Sequence, residues 1–388
     1  MGENFSWRFV KSTHISIGFA MLLGVGLLSS NPALASEDAP FAEELVDLVV
    51  QHCQDGNTQQ AMALSKAIQE QLAPPPEILS LLAQINQTGC KTKPLLPDKS
   101  QFNEVSLGMG FDDNINQGVS TESITLGSPI KPITFILNND YKRVSKSYLA
   151  ATATRQMATD NGWILRGTAG LRQISHYSQL DTAGIQVSGR YGLRPLDLPS
   201  FVQVGLSQSW LGGTVYRRVP SVEWQSYLGD AQQPWVLNVQ MQQLSHDIVA
   251  TQDARITTLS TTRYLRLEPF SLIALGFGLM RDQALGQRAG GNRQGETLQI
   301  SAQHSLPQGQ LHLQWIQARW VSAKDFSQGL VDYPRQNHTS QLSLGYQEKL
   351  SAGTSFYVEF QRRIARDNTP LYSYTSSGIV AGWIQQWK

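Results

Sequence analysis

The chain has 388 residues and a formal net charge of +1, which gives no electrostatic reason to expect a nucleic-acid partner. Charged residues make up 16% of the chain, against an average of about 25%, and uncharged polar residues take their place. After residue 35 no apolar run reaches the about 18 residues of a membrane-spanning helix, so we expect none.

Residues 1–35 have the layout of a secretory signal peptide. Arg8 and Lys11 precede an apolar run, Ile15–Leu28, and the small residues Ala33–Ala35 follow it. We predict cleavage before Ser36 and export of the chain. A retained membrane anchor is the alternative, although the apolar run is shorter than the about 20 residues that span a bilayer.

Residues 36–91 show helical periodicity and predict a small α-helical periplasmic domain. Three amphipathic segments begin near Phe41, Ala61 and Ile78, separated by the turn Asp55–Asn57 and by Pro74–Pro76. The stretch Asp55–Leu64 resembles the start of a tetratricopeptide helix pair, but one such unit is too short for a solenoid of about three or more repeats. Residues 92–101, rich in proline and lysine, are predicted to be a linker.

The chain has two cysteines, Cys53 and Cys90, at the ends of the first and third predicted helices. In an oxidising periplasm we expect them to form a disulfide. Two buried free thiols are the alternative.

Residues 102–388 alternate between apolar and polar side chains, which is typical of β-strands with one buried face. The predicted segments run about 9–11 residues, the length that a tilted strand needs to cross a bilayer. Aromatic residues occur near their ends, as in interfacial girdles: Trp163, Trp210, Trp235, Trp315 and Trp383. We therefore predict an all-β transmembrane barrel with lipid outside and a polar lumen, against a soluble sandwich as the alternative.

About 14 antiparallel strands are predicted, with 12 or 16 as alternatives, because segments near Tyr148, Val222 and Ile256 alternate poorly. Their starts lie near Glu104, Tyr148, Trp163, Ala183, Phe201, Val222, Trp235, Ile256, Leu272, Thr297, Leu311, Thr339, Ser355 and Gly378. Longer polar stretches predict outer loops at Asp112–Lys146, Arg281–Gly295 and Ser322–His338, and short turns at residues 194–200 and 306–309 predict the periplasmic side.

The end of the chain, with Trp383 and Trp387, resembles the C-terminal strand signal of outer-membrane barrels. That resemblance implies insertion by the barrel assembly machinery into outer-membrane lipids. Here Lys388 follows the last aromatic residue, where the signal normally ends on an aromatic.

We expect no enzymatic activity and no cofactor. Ser245, His246 and Asp247 have the residue types of a hydrolase triad, but neighbours in an extended segment point to opposite faces. The glycine-rich stretch Ala289–Glu296 lacks the Lys-Ser/Thr of a phosphate loop.

Five charged residues are candidates for the lumen wall: Arg166, Arg172, Arg190, Glu104 and Glu359. The simplest interpretation is charge pairing across the lumen, with the arginines bonded to Glu104 or Glu359. The alternative is a wall that attracts anions in a conduit.

The first predicted strand carries the motif Gly108, Gly110, Phe111, Asp112, Asn114 and Asn116. It resembles the first barrel strand of the surface lipoprotein assembly modifier family, in which a tetratricopeptide domain precedes a barrel of about 14 strands. Membership would imply export of a client, a surface lipoprotein or related protein, to the cell surface. A passive porin or exopolysaccharide exit pore is the rival, and an adhesin is a third class.

The Asp-Asn run also has oxygen donors suited to calcium, with a tight polar turn as the alternative.

Overall fold

The computed structural model describes residues 46, 48–49, 52–53, 57–71, 82, 85 and 101–387, apart from 129–130, 160, 194, 196–197, 230–232, 269–270, 328 and 352. The predicted signal peptide, most of the linker and Cys90 lie outside these residues.

Four short 3-10 helices lie in the connections, and the longer elements within the described residues are one helix and sixteen strands. They are α1 (Thr58–Gln71), β1 (Phe102–Asp112), β2 (Ser123–Ser128), β3 (Lys131–Ile136), β4 (Lys146–Ala158), β5 (Trp163–Ile174), β6 (Thr182–Leu193), β7 (Ser200–Leu211), β8 (Thr214–Leu228), β9 (Trp235–His246), β10 (Ala254–Glu268), β11 (Ser271–Ala284), β12 (Arg293–Ser305), β13 (Gly309–Ser327), β14 (Val331–Ser351), β15 (Thr354–Asp367) and β16 (Tyr374–Trp387).

Fourteen of the strands form a closed antiparallel barrel, as predicted. Each barrel strand pairs with its neighbours in the chain, except that β4 follows β1 directly in the sheet. The barrel closes where β1 pairs with β16, in a register that runs from Asn103 opposite Trp387 to Asp112 opposite Gly378. All fourteen predicted strand starts fall within or beside barrel strands, including the three whose alternation is poor.

The outer surface of the barrel carries a belt of apolar side chains. On β1, Leu107, Met109 and Phe111 point outward, and Met109 is 66% exposed. Their partners on the next strands are also apolar, since Trp383 pairs with Leu107 and Leu149 pairs with Met109. Such an exposed apolar band around a closed sheet is the form in which strands cross a bilayer, because every backbone polar group is paired inside the sheet.

We call the two rims of the barrel the turn end and the loop end. The turn end holds Phe102, Trp387 and the short connections such as residues 306–308. The loop end holds the longer connections, residues 113–145, 285–292 and 368–373. The predicted outer loops and periplasmic turns therefore fall on opposite rims.

One predicted loop is wrong. Residues 322–338 are mostly strand, since β13 continues to Ser327 and β14 begins at Val331. These two strands have 19 and 21 residues, well beyond the predicted 9–11. Their outward side chains turn polar at the loop end, where Arg319 lies 3.8 Å from Glu296 of β12. The extra length therefore projects beyond the apolar belt. Its side chains are mostly polar on both faces, so the apolar–polar alternation that predicts a strand is absent there.

The connection from β1 to β4 is structured. Strands β2 and β3 pair as a hairpin, and Val119, Ile124 and Leu137 form a small apolar cluster with it, against which Leu371 packs. The backbone N–H of Gly127 also donates to the carbonyl of Leu330 at 2.8 Å. The hairpin is thereby fastened to the rim formed by β13, β14 and the turn before β16.

Before the barrel, α1 coincides with the second predicted helix. Val46, Val49, Cys53, Ala61, Ile68, Leu82 and Ile85 form one buried apolar cluster. No helix within the described part of the chain is long and apolar enough to span a bilayer. Because Cys90 lies outside the described residues, its pairing with Cys53 stays a prediction.

Candidate functional site: the barrel lumen

The inner face of β1 is packed against tyrosine rings. An added Cβ at Gly108 would lie 2.4 Å from the Tyr357 hydroxyl, and one at Gly110 would lie 2.4 Å from Cζ of Tyr148. The small residues of the first strand therefore make room for two aromatic side chains from β15 and β4. The expectation that this face borders lumen water is too simple here, because the tyrosines cover it.

The Asp-Asn run after β1 is a tight polar turn. The Asn114 side chain is fully buried. It donates to the carbonyls of Gly118 and Thr375 at 2.8 and 2.9 Å and accepts from the Gly118 N–H at 2.8 Å.

The flanking residues of the motif continue the network. Asn116 donates to the Lys142 carbonyl at 2.6 Å and accepts from the Val144 N–H at 3.0 Å. Asp112 accepts from the Ser376 hydroxyl at 2.8 Å. These oxygens are already used in protein hydrogen bonds, which favours the turn over the calcium alternative. The motif fastens the first loop to β16 and to the start of β4.

All five predicted lumen charges lie on inward-facing positions, but their partners differ from the simple pairing. Arg172 lies 3.7 Å from Asp112 and stacks on Tyr148, with its Cζ 3.8 Å from the ring centroid. Arg190 stacks on Phe201 with its Cζ 3.4 Å from the ring centroid. Only Arg166 follows the prediction closely, since its charge interacts with that of Glu104.

The two predicted acidic residues are held by neutral or weakly basic side chains. Glu104 accepts from the Gln386 amide at 2.7 Å across the β1–β16 seam. Glu359 accepts from the Gln361 amide and lies 3.9 Å from Nε2 of His312. Amide and ring partners of this kind leave no sequence signal, which is why charge counting missed them.

A buried ionic cluster at the loop end was not predicted. Arg288, from the loop between β11 and β12, binds both oxygens of Asp282 at 3.0 and 2.7 Å, and both side chains are 1% exposed. Arg293 lies 3.9 Å from the same carboxylate. The bidentate geometry is the strong form of an Arg–carboxylate bond. It draws the glycine-rich stretch, predicted as an outer loop, down onto the rim.

A second part of this cluster joins β14, β15 and the turn Pro370–Tyr372. Arg335 lies 2.8 Å from Asp367 and stacks on Tyr372, with its Cζ 3.4 Å from the ring centroid. Burial raises the pKa of the Tyr372 hydroxyl, and the positive charge of Arg335 opposes that rise. The phenol therefore stays neutral at ordinary pH and offers the guanidinium its ring face.

On the opposite wall the lumen keeps free space. A cavity of about 510 Å³ is lined by residues of every strand from β4 to β13, with most of the lining on β6 to β9. Its inward-facing lining is mostly uncharged and polar, with Gln186, Gln203, Gln240, Gln242, Thr258 and Ser221 among the residues. The lumen thus contains a sector packed with side chains, centred on β14 to β16 and β1, and a sector with room for a solute.

The residues of the triad-like segment are held apart. His246 faces inward, where its Nδ1 lies 3.5 Å from Asp253. Asp247 instead pairs with Arg218 at 2.7 Å, and Ser245 lies opposite Arg218 in the β8–β9 register. This agrees with the interpretation of the segment as a polar cluster at a strand end.

The C-terminal residues form the closing strand. Trp383 and Trp387 of β16 both point outward, and Trp383 packs edge-on against Phe356 with ring centroids 5.9 Å apart. Trp387, opposite Asn103, lies at the turn end, where interfacial aromatics are common, whereas Trp383 lies opposite Leu107 in the middle of β1. Their role as an insertion signal stays a prediction.

Comparisons with known proteins find barrels of low similarity. No family model matches the chain, and no curated protein matches its sequence. Among solved structures, the anion-selective porin from Comamonas acidovorans has 10% identity, with 74% of this chain and 98% of that chain covered at a TM-score of 0.37. A Pseudomonas aeruginosa FadL homologue has 8% identity, with coverage of 74% and 90% and a TM-score of 0.42. OmpT of Vibrio cholerae has 8% identity, with coverage of 75% and 99% and a TM-score of 0.35. At these scores the likeness carries no weight for function, which is argued below from the lumen.

Proposed function

We propose that this protein is an outer-membrane channel for small solutes. The observation that carries the proposal is the cavity of about 510 Å³ within a closed barrel that has an apolar outer belt. Cavities of about 300–1,000 Å³ accommodate small molecules. A lining of amide and hydroxyl groups lets a polar solute exchange hydrogen bonds with the wall as it passes.

The packed sector of the lumen supports a narrow path. Tyr148, Tyr357 and His312 lie against glycines of the wall, and His312 occupies the space that a side chain at position 345 would need. At the loop end, the Arg288–Asp282 bond and the fastened β2–β3 hairpin hold two connections on the rim. Such an arrangement suits sugars and small ions better than a folded protein.

The test is transport by the purified protein in lipid. We expect liposomes that contain the protein to swell with monosaccharides and small ions but not with large dextrans, and planar bilayers to show stepwise currents in KCl. Liposomes that stay as tight as protein-free controls for every solute would contradict the channel function.

Export of a client protein, which the family resemblance implies, is the second candidate. It draws support from the buried helical cluster around α1 that precedes the barrel, since a periplasmic domain could hold a client. Co-expression with an exported lipoprotein, followed by labelling of intact cells, separates the two candidates. Equal surface exposure of the lipoprotein with and without the barrel would contradict client export and leave the small-solute channel as the remaining candidate.

A further inference from the structure

We propose that the lumen cavity binds the carboxylate of a small amphipathic acid at Arg217, with the acid's apolar part against a neighbouring aliphatic cluster. This inference rests on the proposed channel function and names the class of solute. It is carried by a row of buried polar atoms that have no hydrogen bond among the described residues, next to apolar side chains on the same wall.

A β-bulge brings Tyr216 to the side of the sheet that Arg217 faces, while Arg217 itself shares the inward parity of Val219 and Ser221. The β7–β8 register shifts so that Ser209 pairs with Arg217 while Trp210 pairs with Val215, which leaves Tyr216 as the extra residue. A bulge of this kind directs two consecutive side chains to one side of the sheet. Tyr216 and Arg217 are accordingly both buried, at 3% and 5% exposure. Strict alternation would have sent one of them to the outside.

Several polar atoms of Arg217, Ser209 and His246 are buried without a hydrogen bond among the described residues. Among the described residues, Nε of Arg217 and the hydroxyl of Ser209 have no hydrogen-bond partner, and Arg217 forms no ion pair. Both side chains line the cavity. His246, which pairs with Arg217 on β9, has both ring nitrogens without a hydrogen bond in the same part of the chain. A buried guanidinium in this state is costly unless an anion or water meets it.

The nearby carboxylates are already engaged, so the site favours an anion over a zwitterion. Glu223, on the same wall, accepts from the amides of Asn238 and Gln240. Asp253 accepts from the backbone N–H of His246 at 2.7 Å. The guanidinium is therefore the group with bonding capacity left, and its planar fork matches a carboxylate.

The apolar half of the site lies beside Arg217. Val219, Leu244 and Ile256 form a buried cluster with Met280 packed against it, on β8 to β11. All four side chains line the cavity, and their neighbours on the lumen wall are glutamine, threonine and serine. A guanidinium next to an aliphatic patch is complementary to a carboxylate that bears a short hydrocarbon chain.

The experiment measures binding without relying on transport. The protein is placed in lipid nanodiscs, and saturation-transfer NMR follows hexanoate, with acetate and hexylammonium as probes that lack the chain or the negative charge. We expect transfer to hexanoate that exceeds transfer to either control. Across butyrate, pentanoate and hexanoate, the affinity should rise about fourfold per added methylene.

Two variants separate the site from lipid partition. Arg217→Gln should weaken hexanoate binding about ten- to a hundredfold, because a charge-assisted bond is lost. Met280→Gln should remove the dependence on chain length and leave acetate unchanged. Arg363→Gln is the matched control, since Arg363 is also a buried lumen arginine but lies on β15 away from the cavity, and it should bind hexanoate as the wild type does. Heat-modifiable gel mobility checks that each variant is folded.

Equal transfer in the wild type and in a folded Arg217→Gln variant would overturn the proposal, as would equal transfer to hexylammonium. KCl conductance is recorded separately on the same preparations. If the protein conducts ions but hexanoate binding does not depend on Arg217, the carboxylate site is contradicted and the channel function is retained. Binding without conductance supports the site and removes the channel function.

Discussion

At the scale of single residues, Gly108 and Gly110 of β1 lack side chains, which lets Tyr357 and Tyr148 pack against the strand. The Gly108→Ala variant should lose about 1–3 kcal/mol of stability, the usual cost of an overpacked site, because the new methyl group meets the Tyr357 hydroxyl. Urea titration of the protein in lipid vesicles measures this loss. In a Tyr357→Phe background the loss should shrink, since the closest atom is gone.

Gly167→Ala is the matched control, because nothing lies within 4 Å of the added Cβ on β5. We expect it to leave the unfolding midpoint unchanged or slightly raised. If Gly108→Ala is as harmless as Gly167→Ala, the tyrosine ring does not occupy the position described.

The Asn114 side chain holds the first loop through three hydrogen bonds. Asn114→Asp removes the amide donor and turns a buried carboxylate toward two carbonyls, which should cost about 2–4 kcal/mol. We expect limited trypsin digestion to cut faster after Lys142 and Arg143 in this variant. Asn139→Ala, at an exposed position in the same loop, should digest at the wild-type rate.

At the scale of elements, the loop between β11 and β12 is held to the rim by the Arg288–Asp282 bond and by backbone hydrogen bonds, such as that from the Lys324 N–H to the Gly290 carbonyl at 3.1 Å. Arg288→Gln leaves the buried Asp282 with Arg293 at 3.9 Å, and breaking such a pair costs about 3–5 kcal/mol. The middle of the loop should become more mobile at the rim, which we expect to see as noisier single-channel currents. Arg281→Gln, at an exposed position of β11, is the control and should conduct as the wild type does.

Period-2 alternation predicted the number and order of the barrel strands, because each lipid-facing position needs an apolar side chain while its neighbours face the lumen. The alternation was poor near Tyr148, Val222 and Ile256, and the strand that holds Val222, β8, contains a bulge at Tyr216 and a proline at position 220. A bulge shifts the period by one residue, so the buried position of Tyr216 beside Arg217 could not be read from the sequence. The length of β13 and β14 was missed for a related reason, since polar side chains follow on both faces beyond the belt.

At the scale of the whole molecule, the apolar belt predicts insertion into lipid. Leu107→Lys puts a charge on the belt and should destabilise the inserted barrel by about 2–4 kcal/mol if the site lies near the bilayer midplane. Ser106→Lys, one residue away on the inner face, is the control and should cost less. The folded fraction in vesicles, read by heat-modifiable mobility, measures both. Equal losses would mean that the two faces meet the same solvent.

The contents of the lumen could be predicted only in part. The inward position of Glu104, Arg166, Arg172, Arg190 and Glu359 follows from their parity on the strands. Most partners of these residues could not be predicted, because Arg172 and Arg190 stack on the rings of Tyr148 and Phe201. The bond between Asp282 and Arg288, a residue of a loop, was missed in the same way. Contacts between strands far apart in the chain depend on the barrel's register, which a pattern along one strand does not contain.

The pairing of β1 with β16 also determines when the barrel can close during folding. The Gln386–Glu104 hydrogen bond joins residues 282 positions apart, so this last seam forms against the largest loop-closure entropy in the sheet. A nascent polypeptide that stalls before its final strand carries two unsatisfied edges, each ready to recruit a foreign strand. Because the barrel cannot close before β16 is present, we expect stable insertion into the bilayer only after that strand has been synthesised.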